Sequence, residues 1–292
     1  MSQNRFQQHL VPVATLLAVG LVLWYLLAIW LNAAGVIERV LAPQGAWSWQ
    51  ELVAATFSMQ RPVLPVPHQI ALDLWTSIFD APLDSPRNLL LHAWVTAGAT
   101  LTGFLMGLVL GGLLAVCIVH SRTLDRALMP WIVASQSVPV LAIAPIVLII
   151  LGSLGITGML PKATIAMYLC FFPVTVAMVQ GLRAPQRLEM ELIHTYSASR
   201  IQTFFVLRLP SSLPFLFPSL RVAIAAGLAG TIVAELPTGA QAGLGARLLT
   251  GSYYGNTLQI WSALIMAALL GVVLTALVAA VEYLIVGRRR QA

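Results

Sequence analysis

GLRAPQRLEMELIHTYSASRIQTFFVLRLPSSLP, residues 181–214, breaks an otherwise oily second half of the chain with charges and turn residues. It reads as two short helices. Pro185 can open the first, with Glu189 and Glu191 in early turns, where a helix N-terminus favours negative charge. Ser197 and Ala198 form the bend. Ser199 and Gln202 fit an S-x-x-Q capping box, so a second helix begins at Arg200. Ile201, Phe204 and Phe205 give it an apolar face, and Leu209-Pro210 ends it. The runs on either side, 163–182 and 214–236, are each about 20 residues or longer, enough to cross a bilayer as a helix. The stretch is therefore an elbow between two membrane spans, and the chain is an all-α membrane protein.

Working outward, the rest agrees. Of 292 residues, 59% are hydrophobic and 9% charged, and mean hydropathy is +0.88; soluble domains carry about a quarter charged residues. Four more spans follow from the apolar runs: 10–31, within 89–119, within 127–151, and about 256–286, for six transmembrane helices in all. Cys117 and Cys170 lie inside apolar runs with no CxxC, which excludes a disulfide scaffold and a zinc site. The net charge of +6 does not mark a nucleic-acid binder, because the arginines flank apolar segments and form no stripe. Arg5, Arg122, Arg126, Arg183, Arg187, Arg200, Arg208, Arg221 and Arg288 to Arg290 fall on one side; Arg39, Arg61, Arg87, Lys162 and Arg247 fall on the other. The richer side is cytoplasmic, which places both termini inside. The outer segment 32–88 holds Trp47, Trp49 and several acids, and reads as a short amphipathic element at the interface. One membrane domain, 1–292, is expected, with a five-helix core over 89–286 and the elbow at 183–213.

Inside the spans three features stand out. Ala99, Gly103, Gly107, Gly111 and Ala115 recur every fourth residue, a ridge of small side chains suited to packing inside one subunit or between two. Pro130, Pro139 and Pro145 free carbonyls at membrane depth, which only protein or a wet cavity can satisfy. With Ser135 and Gln136 beside them, Pro139 and Pro145 are candidates to line a polar path. Glu235 follows an uncharged run from Val222 to Ala234; it either faces a cavity at bilayer depth or marks the end of its span.

Residues 191–210 resemble the EAA loop of permease subunits of bacterial ATP-binding cassette importers, E-A-A-x3-G-x9-I-x-L-P. Glu191 stands at the acidic position, Ser197 at the glycine, Leu207 at the isoleucine, and Leu209-Pro210 close the motif. Leu192 and Ile193 replace the two alanines. The resemblance runs over roughly residues 65–286, to the type I branch of sulfonate, taurine, nitrate and thiamine-precursor permeases. Pro139 to Pro145, Lys162, Phe171-Phe172-Pro173, Gly181-Leu182-Arg183 and Gly243-Leu244-Gly245 also fall in step. It implies a type I permease fold in the bacterial inner membrane. It implies that Glu191, Thr195, Ser197, Ala198, Ser199, Arg200, Leu209 and Pro210 couple to a separate ATPase. The implied partners are two ATPase subunits carrying ATP and magnesium, a second permease chain as a homodimer, and an extracytoplasmic solute-binding protein.

The residues agree that the engine lies elsewhere. A phosphate-binding loop needs G-K-[ST], and the chain's one lysine, Lys162, follows Pro161. No cofactor is expected in this chain. A self-contained secondary transporter or channel is the alternative, for which paired broken helices would be expected; proline clusters in one span alone. A membrane enzyme fits poorly, because His9, His68, His92, His120 and His194 show no HExxH spacing. For the solute, residues 236–254 look most like permeases for pyrimidine-type thiamine precursors or riboflavin, with sulfonate-like compounds a further possibility.

Overall fold

The computed structural model describes residues 2–237 and 242–287, and among them every element of regular structure is helical. Among the described residues five helices are long and apolar enough to cross a membrane, and a pair bent at a short break makes a sixth if it counts as one span. The chain forms two compact units, Met1–Leu89 with Arg247–Ile265, and Leu90–Ala246 with Met266–Ala292.

In the first unit, α1 (Ser2–Val36) is a long apolar helix whose 11–31 stretch is almost wholly exposed within the chain, as a lipid-facing span should be. Its C-terminal end is strapped to the segment that follows. Asn32 is the buckle: its Nδ2 donates to the carbonyls of Ala28 (2.7 Å) and Leu64 (2.8 Å), and its Oδ1 accepts from Val63 N–H (2.6 Å). Trp24 Nε1 donates to the Pro65 carbonyl at 3.0 Å. A buried Asn engaged at both ends of its amide fixes the path of the chain where apolar contact alone would let it slide. The amphipathic element expected in the outer segment is two helices, α2 (Trp49–Phe57), started by a Ser48/Glu51 capping box, and α3 (Pro67–Trp75). Trp49 and Trp75 are exposed, as interfacial anchors are.

The second unit is built on α4 (Leu89–His120), α5 (Arg122–Ser135), α6 (Val140–Ser153), α7 (Met159–Leu182), and α10 (Leu209–Glu235), with the later half of α12 (Thr257–Val286) completing the core. The most extensive helix pair is α7 with α10. The small-residue ridge of α4 lies on α7: a Cβ on Gly107 would sit 2.5 Å from the Cβ of Cys170, and one on Gly103 as close to that of Ala166. The ridge therefore serves packing within the subunit.

The third span departs from a kinked helix over 127–151. It breaks outright at residues 136–139, and α5 and α6 meet at 103°. Pro139 is the N-cap of α6, where its missing N–H costs nothing, whereas a helix running through it would lose a bond and meet a steric clash. The Ser135 carbonyl, which Pro139 cannot bond, is taken by the Tyr168 hydroxyl of α7.

Candidate functional site

Two places in the second unit concentrate polar chemistry: the elbow between α7 and α10, and a buried knot at the far end of those same helices.

The elbow is α8 (Arg187–Thr195), a tight turn, and α9 (Arg200–Thr203). Its first helix starts two residues later than Pro185 suggests, because Glu189 accepts a hydrogen bond from Gln186 N–H (2.8 Å) and makes Gln186 the cap. Ser197 adopts φ 52°, the left-handed conformation that glycine takes most easily. The family's glycine position is thus a real bend, and serine fills it at some strain. Ser199 caps α9 as expected, its Oγ accepting from Gln202 N–H (3.3 Å) and its own N–H donating to Gln202 Oε1 (2.7 Å).

The expected stop at Leu209-Pro210 does not occur. A π-helical turn, Phe204–Arg208, joins α9 to α10 without a break, and Leu209 N–H bonds back to the Phe204 carbonyl. The wider turn shifts the hydrogen-bond register just before Pro210, so the missing N–H falls at the first positions of α10. The consequence is mechanical: α9 is a direct extension of a transmembrane helix.

Most of the elbow is exposed, including Glu191, which pairs with Arg187 one turn back at 2.9 Å. An exposed i,i+4 pair contributes little to stability, so Glu191 is free to exchange partners. Around it Leu188, Leu192, Tyr196, Ile201 and Phe205 are also exposed. Thr195 closes its hydroxyl on the Leu192 carbonyl (2.6 Å), and Ala198 N–H donates to the Ile193 carbonyl (3.4 Å), so the turn is locally complete. Beside Arg200, a small apolar recess of about 270 Å³ is lined by Val116, His120, Ile201, Phe204 and Phe205. The elbow's roots are close: a Cβ on Gly181 would lie 2.6 Å from Ser212 Cα, so α7 and α10 are nearly in contact on either side of it.

At the other end, Glu235 is both the last residue of α10 and fully buried, so it marks the end of its span and is an interior carboxylate at once. Its oxygens accept from Thr96 Oγ1 (3.0 Å) of α4 and from Gly245 N–H (2.9 Å). Lys162 of α7, itself buried, approaches at 3.5 Å and also donates to the Ala242 carbonyl at 3.2 Å. His92 Nδ1 accepts from Gly243 N–H (2.9 Å), and Thr96 Oγ1 accepts from Leu244 N–H (2.9 Å). The Gly243-Leu244-Gly245 turn thus closes over the carboxylate, with Gly245 N–H donating to it directly and the other two N–H groups donating to His92 and Thr96 beside it. Gly243 has φ 135°, and a Cβ there would stand 2.5 Å from Glu235 Oε2. A cleft of about 830 Å³ abuts the knot, lined by Pro145, Leu148, Ile149, Gly152, Lys162 and Ala242 among others.

Of the path candidates, the structure brings Pro145 into this cleft and Glu235 against its lysine. Ser135, Gln136 and Pro139 lie at the opposite end of α6, around the break. Sequence reasoning missed His92, Thr96 and the pairing of Lys162 with Glu235. The one available signal was a solitary lysine and a solitary acid, each at an end of an apolar run.

The model of the family described as "binding-protein-dependent transport system inner membrane component" matches residues 107–291. The formylaminopyrimidine transport permease protein ThiX of Halalkalibacterium halodurans is 33% identical over 196 residues, covering 66% of this chain and 72% of that protein. The riboflavin transport system permease protein RibX of Chloroflexus aurantiacus is 30% identical over 224 residues, 77% of this chain and 80% of its own. The putative aliphatic sulfonates transport permease protein SsuC of Bacillus subtilis is 25% identical over 209 residues, 72% of each. These similarities favour a permease subunit over a self-contained secondary transporter.

Proposed function

Since the chain belongs to the binding-protein-dependent transport system inner membrane components, and so is a multi-pass permease subunit of an ATP-binding cassette importer rather than an enzyme, we propose that its elbow is where ATP-driven work enters. The family works with an ATPase and a solute-binding protein. In this reading residues 1–292 act as one permease domain, both termini are cytoplasmic, and the elbow meets the inner aqueous phase. Two ATPase subunits hold the ATP and magnesium, and a second copy of this chain completes the path.

The observation that carries the reading is the continuity of α9 with α10 through the π turn. A push on the turn formed by Thr195, Ser197, Ala198 and Ser199, or on Arg200, is passed to one continuous helix that runs past Leu209 and Pro210 to Glu235 at its far end. Two-state access then needs only that the helix's position be biased from one side. Glu191 offers a carboxylate to a basic residue of the ATPase, and the exposed apolar side chains beside it offer area. The path includes Pro145 and Glu235, with Ser135, Gln136 and Pro139 around the break in the third span.

The solute is a small organic compound of the kind carried by the similar permeases: a thiamine-precursor pyrimidine, riboflavin or a sulfonate. Reconstitution with the cognate ATPase and binding protein tests the whole reading. Glu191→Arg should abolish ATP-driven uptake and weaken ATPase co-purification while the chain stays in the membrane. Uptake that survives this change, or persists without ATP, contradicts it. The ligand held by the cognate binding protein identifies the solute.

A further inference from the structure

The first unit holds a polar cleft of about 760 Å³ that the transport reading does not use. Asp73, Asp80, Arg87, Arg247, Asn256 and Gln259 are among the residues that line it. The volume lies in the range of small-molecule sites. Its charges balance, two cations against two anions, so it suits a group that carries both signs rather than a simple anion.

One donor beside it is unanswered. Arg247 Nε is buried without a hydrogen-bond partner, and the same guanidinium reaches the Pro86 carbonyl only at 3.5 Å through Nη1. Nε itself is closed off from the cleft, but the guanidinium as a whole is short of acceptors, and an anion in the cleft can meet its outer N–H groups. Asp73 does not answer Nε: its Oδ2 accepts from the Ser262 hydroxyl, and neither of its oxygens bonds that atom. Burial lowers the Arg247 pKa from its ordinary value, Asp73 opposes this, and Arg87 adds to it, which also describes a guanidinium short of negative charge.

The cleft's position narrows the ligand. It is lined by the polar side of α3 and the turn after it, where Asp73, Thr76, Ser77 and Asp80 share one helical sector. The adjoining sector carries Leu72, Trp75 and Phe79, all exposed, followed by exposed Leu83. Trp75 and Phe79 pack together with ring centroids 4.5 Å apart. A helix with aromatic and aliphatic side chains on one side and a charged cleft on the other lies in the membrane interface. A ligand at that depth has its polar end in the cleft and its apolar end along the exposed face.

We propose that this cleft holds the headgroup of a zwitterionic phospholipid, with the phosphodiester on Arg247 and Arg87 and the ammonium on Asp80. The shared chemistry with a free phosphate is the oxyanion; the ammonium contact and the apolar flank are what select the lipid.

The test uses the full-length chain, stripped of lipid in mild detergent and examined by native mass spectrometry. The probes are dioleoylphosphatidylethanolamine, dioleoylphosphatidylglycerol and inorganic phosphate. The ethanolamine lipid should be retained in preference to the glycerol lipid. Arg247→Gln should weaken retention by at least about tenfold, the loss of one charge-assisted hydrogen bond. Arg87→Gln and Asp80→Asn, at exposed positions that should not disturb folding, should each weaken it too, and Arg39→Gln should leave it unchanged. Equal retention of the two lipids overturns the proposal, as does retention that none of the three cleft variants alters. Competition by phosphate at lipid-like concentrations points to a free anion and also overturns it. So does a result in which the cleft variants spare lipid retention and instead weaken capture of the binding protein.

Discussion

Replacing Glu235 by glutamine probes the buried knot directly, because it keeps the shape and removes the charge. Lys162 is 6% exposed and Glu235 0%, so neither can turn to water when the other is lost. Glutamine can still accept from Thr96, but the Lys162 ammonium then keeps one acceptor, the Ala242 carbonyl at 3.2 Å. Breaking one side of a buried pair costs about 3–5 kcal/mol, mostly from the charge left behind. Lys162→Met combined with Glu235→Gln leaves no charge at all, and the remaining cost is on the order of 1 kcal/mol for weakened hydrogen bonds. The two sites should therefore couple by about 5 kcal/mol or more in a double-mutant cycle, since each single change alone leaves a buried charge unpaired and the double leaves none. Unfolding of the four proteins in mixed micelles at rising dodecyl sulfate fraction, followed by helix content, gives the free energies. If both single changes cost under about 1 kcal/mol and add within about 0.5 kcal/mol, the pair is no tie between α7 and α10.

The remaining predictions concern the elbow and the α4–α7 seam. Ser197→Gly should relieve the left-handed strain and stabilise the turn by about 1 kcal/mol, read as slower hydrogen exchange over residues 195–203, whereas Ser197→Val should speed exchange there. Ser199→Ala removes half of the capping box and should cost about 1 kcal/mol locally, seen as faster exchange at Gln202 and Thr203 with the transmembrane part of α10 unaffected. Gly107→Val forces side-chain atoms into Cys170 and should lower thermal stability in detergent by at least about 1–3 kcal/mol; an unchanged melting profile would mean that α4 and α7 do not pack as described.

How far these sites were visible beforehand follows from the range of the forces that make them. The capped start at Ser199 and the bend at Ser197 were legible because caps and turns involve residues within about four positions of each other. The break at Pro139 was half legible: proline forbids the helical bond locally, but whether the chain kinks or turns through 103° depends on what receives the freed carbonyl, here Tyr168 from α7. The run-through at Pro210 ran against the local rule, because a π turn upstream moved the register and left the proline at a helix start.

The sequence by itself determined that this is a helical membrane protein, where its spans lie and where its polar elbow falls, because hydrophobic length and capping are written in neighbouring residues. The tertiary structure alone decided that Glu235 is an interior carboxylate, that Lys162, Thr96 and the Gly243 to Gly245 turn close around it, and that the glycine ridge faces α7. Those contacts join residues as far apart as Thr96 and Glu235, and no local spacing encodes them. They exist because a buried charge has no water to turn to, and must find its partners among whichever helices the fold has brought beside it.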